Sequence, residues 1–158
     1  MTGNDLFIKT IAYITKSLNK YSDLIWAFTG GVNFYLHGIN VPLNDIDIQT
    51  DKDSAYKIEK IFNIYLTKPV CFLESEKIKS HFGQLCINGL RVEIMGDIQK
   101  KLPSGEWELL KDLKVLIEKI FFNEISFPVL NLEYEAEAYE LLGRNKKANL
   151  IKNHFKKC

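Results

Sequence analysis

The sequence predicts one domain of the α/β (α+β) class, in which helices and strands follow one another along the chain. Three observations lead to this prediction. A length of 158 residues suits one domain with a hydrophobic core and no disulfide framework. Residues 7–18 repeat apolar side chains at the spacing of a helix, whereas residues 83–95 form two strand-like runs joined by an Asn-Gly pair.

A first helix is predicted by apolar residues at intervals of four, three and four, which place them on one face: Phe7, Ile11, Ile14 and Leu18. Asn4 and Asp5 are both suited to cap its N-terminus. A buried strand is predicted over residues 24–28, where a short apolar run ends at two glycines. A short helix is expected over residues 31–37.

A second strand is predicted over residues 45–49 and a third strand over residues 70–73. Between them, Asp51 and Asp53 are both suited to cap a helix. Four side chains of this helix share one face at helical spacing: Ala55, Ile58, Phe62 and Tyr65.

A β-hairpin follows, because Asn88 and Gly89 accept the positive backbone angles of a two-residue turn. The turn places Ile87 opposite Leu90, and counting back along both strands pairs Gln84 with Glu93. Strand alternation separates two sets of side chains: Leu90, Val92 and Ile94 toward the core, and Arg91, Glu93 and Met95 toward the other face.

The last third of the chain predicts a helix over residues 109–122 and a strand over residues 125–130. We expect this strand at a sheet edge, because Pro128 has no N–H to donate to a neighbouring strand.

A C-terminal helical part is predicted over residues 131–157. Its first helix is capped by Asn131 and stopped by Gly143, and a basic helix over residues 146–156 follows.

The composition argues against several classes of protein. A net charge of +1 provides no overall basic field for nucleic acid or an anionic membrane. The three cysteines, Cys71, Cys86 and Cys158, lack the spacing of a zinc site or a disulfide framework and predict reduced thiols. Residues 1–20 are charged and amphipathic, and no later run approaches the ~20 apolar residues of a membrane span. We therefore expect a soluble, cytoplasmic protein.

Two carboxylates stand out in "NDIDIQ". The period of a strand places Asp45 and Asp47 on one face and the two isoleucines on the other. Carboxylates this close repel each other unless they share a cation, and hard oxygen ligands suit Mg²⁺ or Mn²⁺. A solvated strand face that carries two aspartates is the alternative interpretation.

A glycine pair, Gly30 and Gly31, precedes these carboxylates, with thirteen residues between Gly31 and Asp45. Residues without a Cβ let the backbone approach a phosphate group. A strand-to-helix turn would use the same glycines. Taken with the carboxylates, the pair predicts a phosphate-binding corner beside a metal-binding strand.

The run "FTGGVNFYLHGINVPLNDIDIQ" resembles the signature of the DNA polymerase beta-like nucleotidyltransferase superfamily. The resemblance covers residues 24–97, and beyond them the chain is similar to small stand-alone bacterial and archaeal members. It implies a nucleotidyltransferase fold, a mixed β-sheet flanked by helices. It also implies transfer of a nucleoside monophosphate from a nucleoside triphosphate to a hydroxyl, with release of pyrophosphate and with Mg²⁺ or Mn²⁺ as cofactor.

The resemblance also implies a third carboxylate on a strand beside the Asp-x-Asp strand. Glu93 in "RVEIM" matches that position, and Asp97, after Gly96, is the second choice. The superfamily more often has aspartate there. A salt bridge between Glu93 and Arg91 is the structural alternative.

The expected catalytic and metal-binding residues are thus Asp45, Asp47 and Glu93. The expected nucleotide-binding residues are Thr29, Gly30, Gly31, Arg144 and Lys146. The last two lie in "GRNKKA", similar to a basic motif of many relatives, although Lys147 replaces its acidic residue. The alternative interpretation is that these basic residues are solvated and only stabilise the C-terminal end of the preceding helix.

The acceptor is not determined by the sequence. The basic C-terminal segment has no sustained stripe of cations with exposed aromatics, so we expect a small molecule or a protein rather than nucleic acid. His37 and His81 are single histidines, for which a structural or surface role is usual. A catalytically silent binding or regulatory module, paired with a toxin-type or sensor partner, is the second hypothesis, and a homodimer or protein partner stays open.

Overall fold

The structure is a computed structural model that describes residues 3–156. Five helices and seven strands are present in this part of the chain, in the order α1 (Gly3–Leu18), β1 (Trp26–Thr29), α2 (Gly31–Leu36), β2 (Ile46–Thr50), α3 (Lys52–Ile61), β3 (Leu66–Glu74), β4 (Ile78–Ile87), β5 (Leu90–Lys100), β6 (Ile117–Phe122), β7 (Ile125–Leu130), α4 (Leu132–Leu141) and α5 (Asn145–Lys156). None of these helices is long and apolar enough to cross a membrane.

The seven strands form one mixed sheet in the order β3-β4-β5-β2-β1-β7-β6. Strands β2 and β5 are parallel, as are β1 and β7, whereas the other neighbours are antiparallel. The α+β class and the mixed sheet flanked by helices are therefore confirmed. The centre of the sheet is formed by β5, β2 and β1, which carry the sequence motifs.

One face of the sheet supports the main core. The predicted stripes of α1 and α3 pack there against alternate residues of the central strands, and their side chains are almost fully buried: Phe7, Ile11, Ile14, Leu18, Ala55, Ile58, Phe28, Ile46, Ile48, Val92 and Ile94. Since successive strand residues point to opposite faces, residues 29, 47 and 93 must face the other side.

The second face is covered in part by α4 and α5. Phe34 and Ile39 pack with Leu132, Tyr139 and Ile151 in a separate apolar cluster. The side chain of Asn131 caps α4 by accepting a hydrogen bond from Tyr134 N at 3.0 Å, as the sequence predicts. This packing fixes α4 over the polar face of the central strands.

The predicted hairpin register is confirmed, because Ile87 lies opposite Leu90 and Gln84 opposite Glu93. The cap of α3 is Asp51, whose side chain accepts from Ser54 N at 2.8 Å.

Several sequence predictions are wrong. Residues 109–122 contain no α-helix; a loop with one short 3₁₀ turn leads into β6. Their apolar residues suit a strand that pairs with β7, and that pairing satisfies the backbone of residues 117–122. Strand β7 is consequently not an edge strand but lies between β1 and β6, with Pro128 opposite Lys119.

Two smaller predictions also need correction. Asn4 and Asp5 lie inside the first turn of α1 rather than at its cap. Asp97 lies inside β5, with a φ of 49° at an irregularity of the β4–β5 pairing, rather than beyond the strand. Cys71 and Cys86 are free thiols, and Cys158 lies outside the described residues.

Candidate active site

Three neighbouring strands bring the motif residues together. Thr29 at the end of β1 pairs with Asp47 on β2, and Asp47 pairs with Glu93 on β5. Neighbouring strands lie about 4.8 Å apart, so side chains at these positions on one face are direct neighbours. The two carboxylates predicted from separate motifs therefore lie side by side.

Asp45 directly precedes β2 and is linked to Glu93 through one cation. The Arg91 guanidinium donates to Asp45 Oδ2 at 2.7 Å and lies 3.6 Å from Glu93 Oε1. Arg91 is 55% exposed, so this contact is screened by solvent and contributes little to folding stability. Its effect is local: it neutralises part of the negative charge of the cluster.

Asp47 is half-buried between β1 and β5. Its pKa is raised to about 7 by burial and, to a smaller extent, by the negative charges of Glu93 and Asp45, while the charge of Lys147 opposes them. Glu93, the neighbour of Asp47 on β5, also raises the pKa of Asp47 through side-chain hydrogen bonding. Such an excess of negative charge is the environment in which a divalent cation is stabilised.

Gly30 forms the corner between β1 and α2, and its backbone requires glycine for two reasons. Its φ is 65°, in the left-handed region. A Cβ at this position would also lie only 2.6 Å from Asp47 Oδ2. The glycine therefore permits the close approach of the corner to the central carboxylate.

A fourth acidic residue, which the sequence analysis missed, lies beneath this corner. Glu135 of α4 is 2% exposed, and its Oε1 accepts hydrogen bonds from the Thr29 hydroxyl and from Gly30 N, the latter at 2.9 Å. Its Oε2 accepts from Asn33 Nδ2 at 3.0 Å. Thr29 and Gly30, both expected to contact phosphate, are thus already bound by a carboxyl of the same chain.

The charge state of Glu135 follows from its surroundings. Its pKa is raised to about 8, mainly by burial, while the hydrogen bonds from Gly30 N and Asn33 lower it and the charge of Asp47 raises it. The sequence does contain an indication of this role. Glu135 lies three residues after Leu132 and four before Tyr139, at the spacing of the buried face of α4, where an acidic residue requires partners.

A cavity of about 290 Å³ opens between this cluster and α4. Asp47, Glu93 and Glu135 line one end of it, which we call the acidic end. The other end, which we call the distal end, is lined mainly by six residues of β4, β5 and α4: Ile78, Ser80, Met95, Ile98, Lys100 and Tyr134. Neither Asp45 nor Gly31 lines the cavity, so it extends along β5 in the direction away from them.

The distal end contains a buried ion pair. Lys100 Nζ lies 2.8 Å from Glu108 Oε1 and 3.3 Å from the Tyr134 hydroxyl, and only 4% of the Lys100 side chain is exposed. Lys100 faces the cavity because the irregularity at Asp97 shifts the alternation of β5 by one residue. The same irregularity directs the Asp97 carboxylate to Lys52 N, at the start of α3.

The basic residues of the C-terminal part have different positions. Arg144 lines the cavity, whereas Lys146 does not. The neighbouring Lys147 places its Nζ 5.3 Å from the centroid of the Tyr139 ring, and its charge lowers the pKa of both Asp47 and Glu135. Lys147 is therefore the lysine of this segment that acts on the acidic cluster.

Neither His37 nor His81 lines the cavity. His37 Nδ1 lies 2.9 Å from the Asn33 carbonyl oxygen at the end of α2, and His81 Nδ1 lies 2.9 Å from the Tyr56 hydroxyl. Both contacts are structural, in agreement with the usual role of a single histidine.

The donor set suits a hard divalent cation in its chemistry, although it is not preformed. Within residues 3–156, no three histidine, cysteine or acidic side chains converge as a ready metal site, and Arg91 contacts both Asp45 and Glu93. Binding of Mg²⁺ or Mn²⁺ by the three carboxylates would require the guanidinium to move.

Comparison with known proteins places this arrangement in a family. The sequence model of the aminoglycoside-2''-adenylyltransferase family matches residues 10–154. No curated protein matches the sequence. The chain is similar to a candidate nucleotidyltransferase of Thermotoga maritima, with 41% identity, coverage of 100% of this chain and 97% of the other, and a TM-score of 0.83.

Two more distant structures share the fold. A lincosamide antibiotic adenylyltransferase, LnuA, bound to lincomycin, is 16% identical, with coverage of 96% and 97% and a TM-score of 0.58. ANT(2'')-Ia in complex with adenylyl-2''-tobramycin is 13% identical, with coverage of 93% and 90% and a TM-score of 0.56. These comparisons confirm the resemblance and the fold predicted from the sequence.

Proposed function

The chain belongs to the aminoglycoside-2''-adenylyltransferase family, and from this premise we propose that it is a cytoplasmic, metal-dependent nucleotidyltransferase. It transfers a nucleoside monophosphate from a nucleoside triphosphate to a hydroxyl of a small-molecule or protein acceptor and releases pyrophosphate. The observation that carries the proposal is the register that aligns Thr29, Asp47 and Glu93 beside the glycine corner.

The residues of this cluster have separate roles in the proposal. The backbone at Gly30 and Gly31 lies against the triphosphate, because neither residue has a side chain to obstruct it. Thr29 shapes this corner through Glu135. Arg144, at the exposed side of the cavity, and Lys146 and Lys147 of α5 supply positive charge for the phosphates.

Asp45, Asp47 and Glu93 would hold Mg²⁺ or Mn²⁺. The ion, when bound, neutralises the charge that develops on the phosphates during transfer. Glu93 faces the cavity and accepts the proton of the acceptor hydroxyl. The acceptor oxygen forms its bond to the α-phosphorus while the bond between that phosphorus and the oxygen of pyrophosphate breaks.

Label transfer tests this proposal. The protein is incubated with each nucleoside triphosphate labelled at the α-phosphate, with Mg²⁺ or Mn²⁺ and a cell extract as the source of acceptors. We expect a labelled product from the wild type and at least a hundredfold less from Asp47→Asn, because phosphoryl transfer depends on positioning and charge neutralisation. Asp53→Asn, an exposed aspartate of α3 outside the cavity, is the matched control and should retain the activity.

Label transfer that persists in Asp47→Asn would exclude this site. A second function, a silent binding or regulatory module, is favoured by two contacts: Glu135 already holds Gly30 N, and Arg91 already holds Asp45. Absence of transfer with every nucleotide, together with nucleotide binding that Asp47→Asn leaves unchanged, would support that module instead.

A further inference from the structure

The cavity that extends from the acidic cluster along β5 has the position of an acceptor site. In-line transfer places the attacking hydroxyl opposite the leaving pyrophosphate. Gly30 and Arg144, which are proposed to contact the triphosphate, line the cavity together with Glu93, whereas none of the six residues of the distal end belongs to the proposed triphosphate site. The space beyond Glu93 is therefore where an acceptor hydroxyl would approach, an assignment that rests on the proposed function.

The distal end of this cavity is mainly apolar. Met95 and Ile98 of β5 and Ile78 of β4 form one wall, and the ring of Tyr134 belongs to the opposite wall on α4. Ser80 adds a hydroxyl, and the Tyr134 hydroxyl, which accepts from Lys100, retains its own proton for donation. Apolar walls with a few placed polar groups are typical of sites for small organic molecules.

The charge of the distal end excludes one class of acceptor. Its charged lining residue is Lys100, and the partner of Lys100, Glu108, does not line the cavity. The carboxylates that do line it, Asp47, Glu93 and Glu135, all belong to the acidic end. An ammonium group bound at the distal end would lie beside the Lys100 cation, and the carboxylate nearest to it, Glu108, is already paired with Lys100 and lies outside the lining. Such a position is unfavourable for a cation in a partly desolvated site.

We propose that the acceptor is an uncharged small molecule with an apolar or aromatic body and a reactive hydroxyl, and not a polycationic amino sugar. The proposed acceptor therefore differs from the aminoglycosides that the description of the family names. It also distinguishes this site from one built to bind several ammonium groups, which would require unpaired carboxylates at the distal end as well as at the acidic end.

A matched pair of probes tests the proposal without any nucleotide. The first probe is 4-nitrophenyl β-D-glucopyranoside, and the second is its 2-amino-2-deoxy analogue, which replaces one hydroxyl by an ammonium group. Tobramycin is the polycationic comparison. We expect the neutral glucoside to bind at least about tenfold more tightly than either amine, measured by titration calorimetry and saturation-transfer NMR. Equal or tighter binding of an amine, or no binding of the neutral probe, would overturn the proposal.

Two variants locate the binding. Ala138→Phe places a ring in the cavity from α4 and should weaken binding of the neutral glucoside at least about tenfold, whereas Glu137→Phe adds the same ring at an exposed neighbouring position and should not. Unchanged binding by folded Ala138→Phe would contradict the location.

The double variant Lys100→Gln/Glu108→Gln tests the charge argument, because it removes the cation without leaving Glu108 unpaired. Its preference for the neutral probe over the amine should fall, and an unchanged preference would refute the role of Lys100. Binding without label transfer would count against the proposed function alone, while label transfer to tobramycin would count against this inference alone.

Discussion

Replacement of Glu135 by glutamine separates the hydrogen bonds of this residue from its charge. Glutamine has nearly the same shape but only one side-chain oxygen, so this oxygen can accept the bond from Gly30 N or the bond from Asn33, and the amide nitrogen accepts neither. The loss of one buried hydrogen bond should lower the free energy of unfolding by about 1–3 kcal/mol at acidic pH.

The pH dependence then distinguishes charge from hydrogen bonding. Burial raises the pKa of Glu135 from 4.5 to about 8, so the folded state retains a proton that the unfolded state loses. The stability from this carboxyl is fully present below pH 4.5 and is lost as the pH rises through 8. At 1.36 kcal/mol per pKa unit the shift corresponds to about 5 kcal/mol, of which about 3 kcal/mol falls between pH 5 and pH 8.

Urea unfolding at a series of pH values measures this difference. We expect wild-type stability to fall by about 3 kcal/mol more than that of Glu135→Gln between pH 5 and pH 8, so that the gap between the two closes or reverses. Glu133→Gln, an exposed position in the first turn of the same helix, should follow the wild type. Parallel curves for wild type and Glu135→Gln would show that Glu135 is ionised in the folded state and would refute the argument.

Three further predictions concern the glycine corner, the cation beside the carboxylates and the cap of α4. Gly105→Ala should lower the free energy of unfolding by about 1–2 kcal/mol, because alanine is strained in a left-handed backbone. Gly30→Ala should lower it by more and abolish label transfer, because its methyl would also lie 2.6 Å from Asp47 Oδ2. Equal losses for the two variants in urea unfolding would contradict this. Arg91→Gln should tighten Mn²⁺ binding severalfold in calorimetry, since it frees the two carboxylates that the guanidinium holds, and weaker binding would refute the competition. Asn131→Ala should lower the free energy of unfolding by about 1 kcal/mol through loss of the cap, and an unchanged urea midpoint would argue against it.

The features that the sequence determined are those set by local chemistry. Asn88 and Gly89 fix a two-residue turn, and the turn alone fixes the pairing of Gln84 with Glu93, which are nine positions apart in the sequence. Asn131 caps the next helix because its side chain reaches an N–H only three residues away. The glycine pair and the Asp-x-Asp strand were recognised for the same reason, as short patterns whose residues are close in sequence.

Other features were decided by contacts that only the folded chain makes. Residues 109–122 have apolar residues that suit either a helix or a strand, and pairing with β7 selects the strand for residues 117–122. The irregularity at Asp97 turns Lys100 toward the cavity, and no residue near it in sequence predicts that turn. Glu135 reaches Gly30, 105 residues away in the chain. Turns and caps are closed by neighbours within a few residues, whereas a buried carboxyl or a strand order is determined by partners that meet only when the sheet and α4 have packed together.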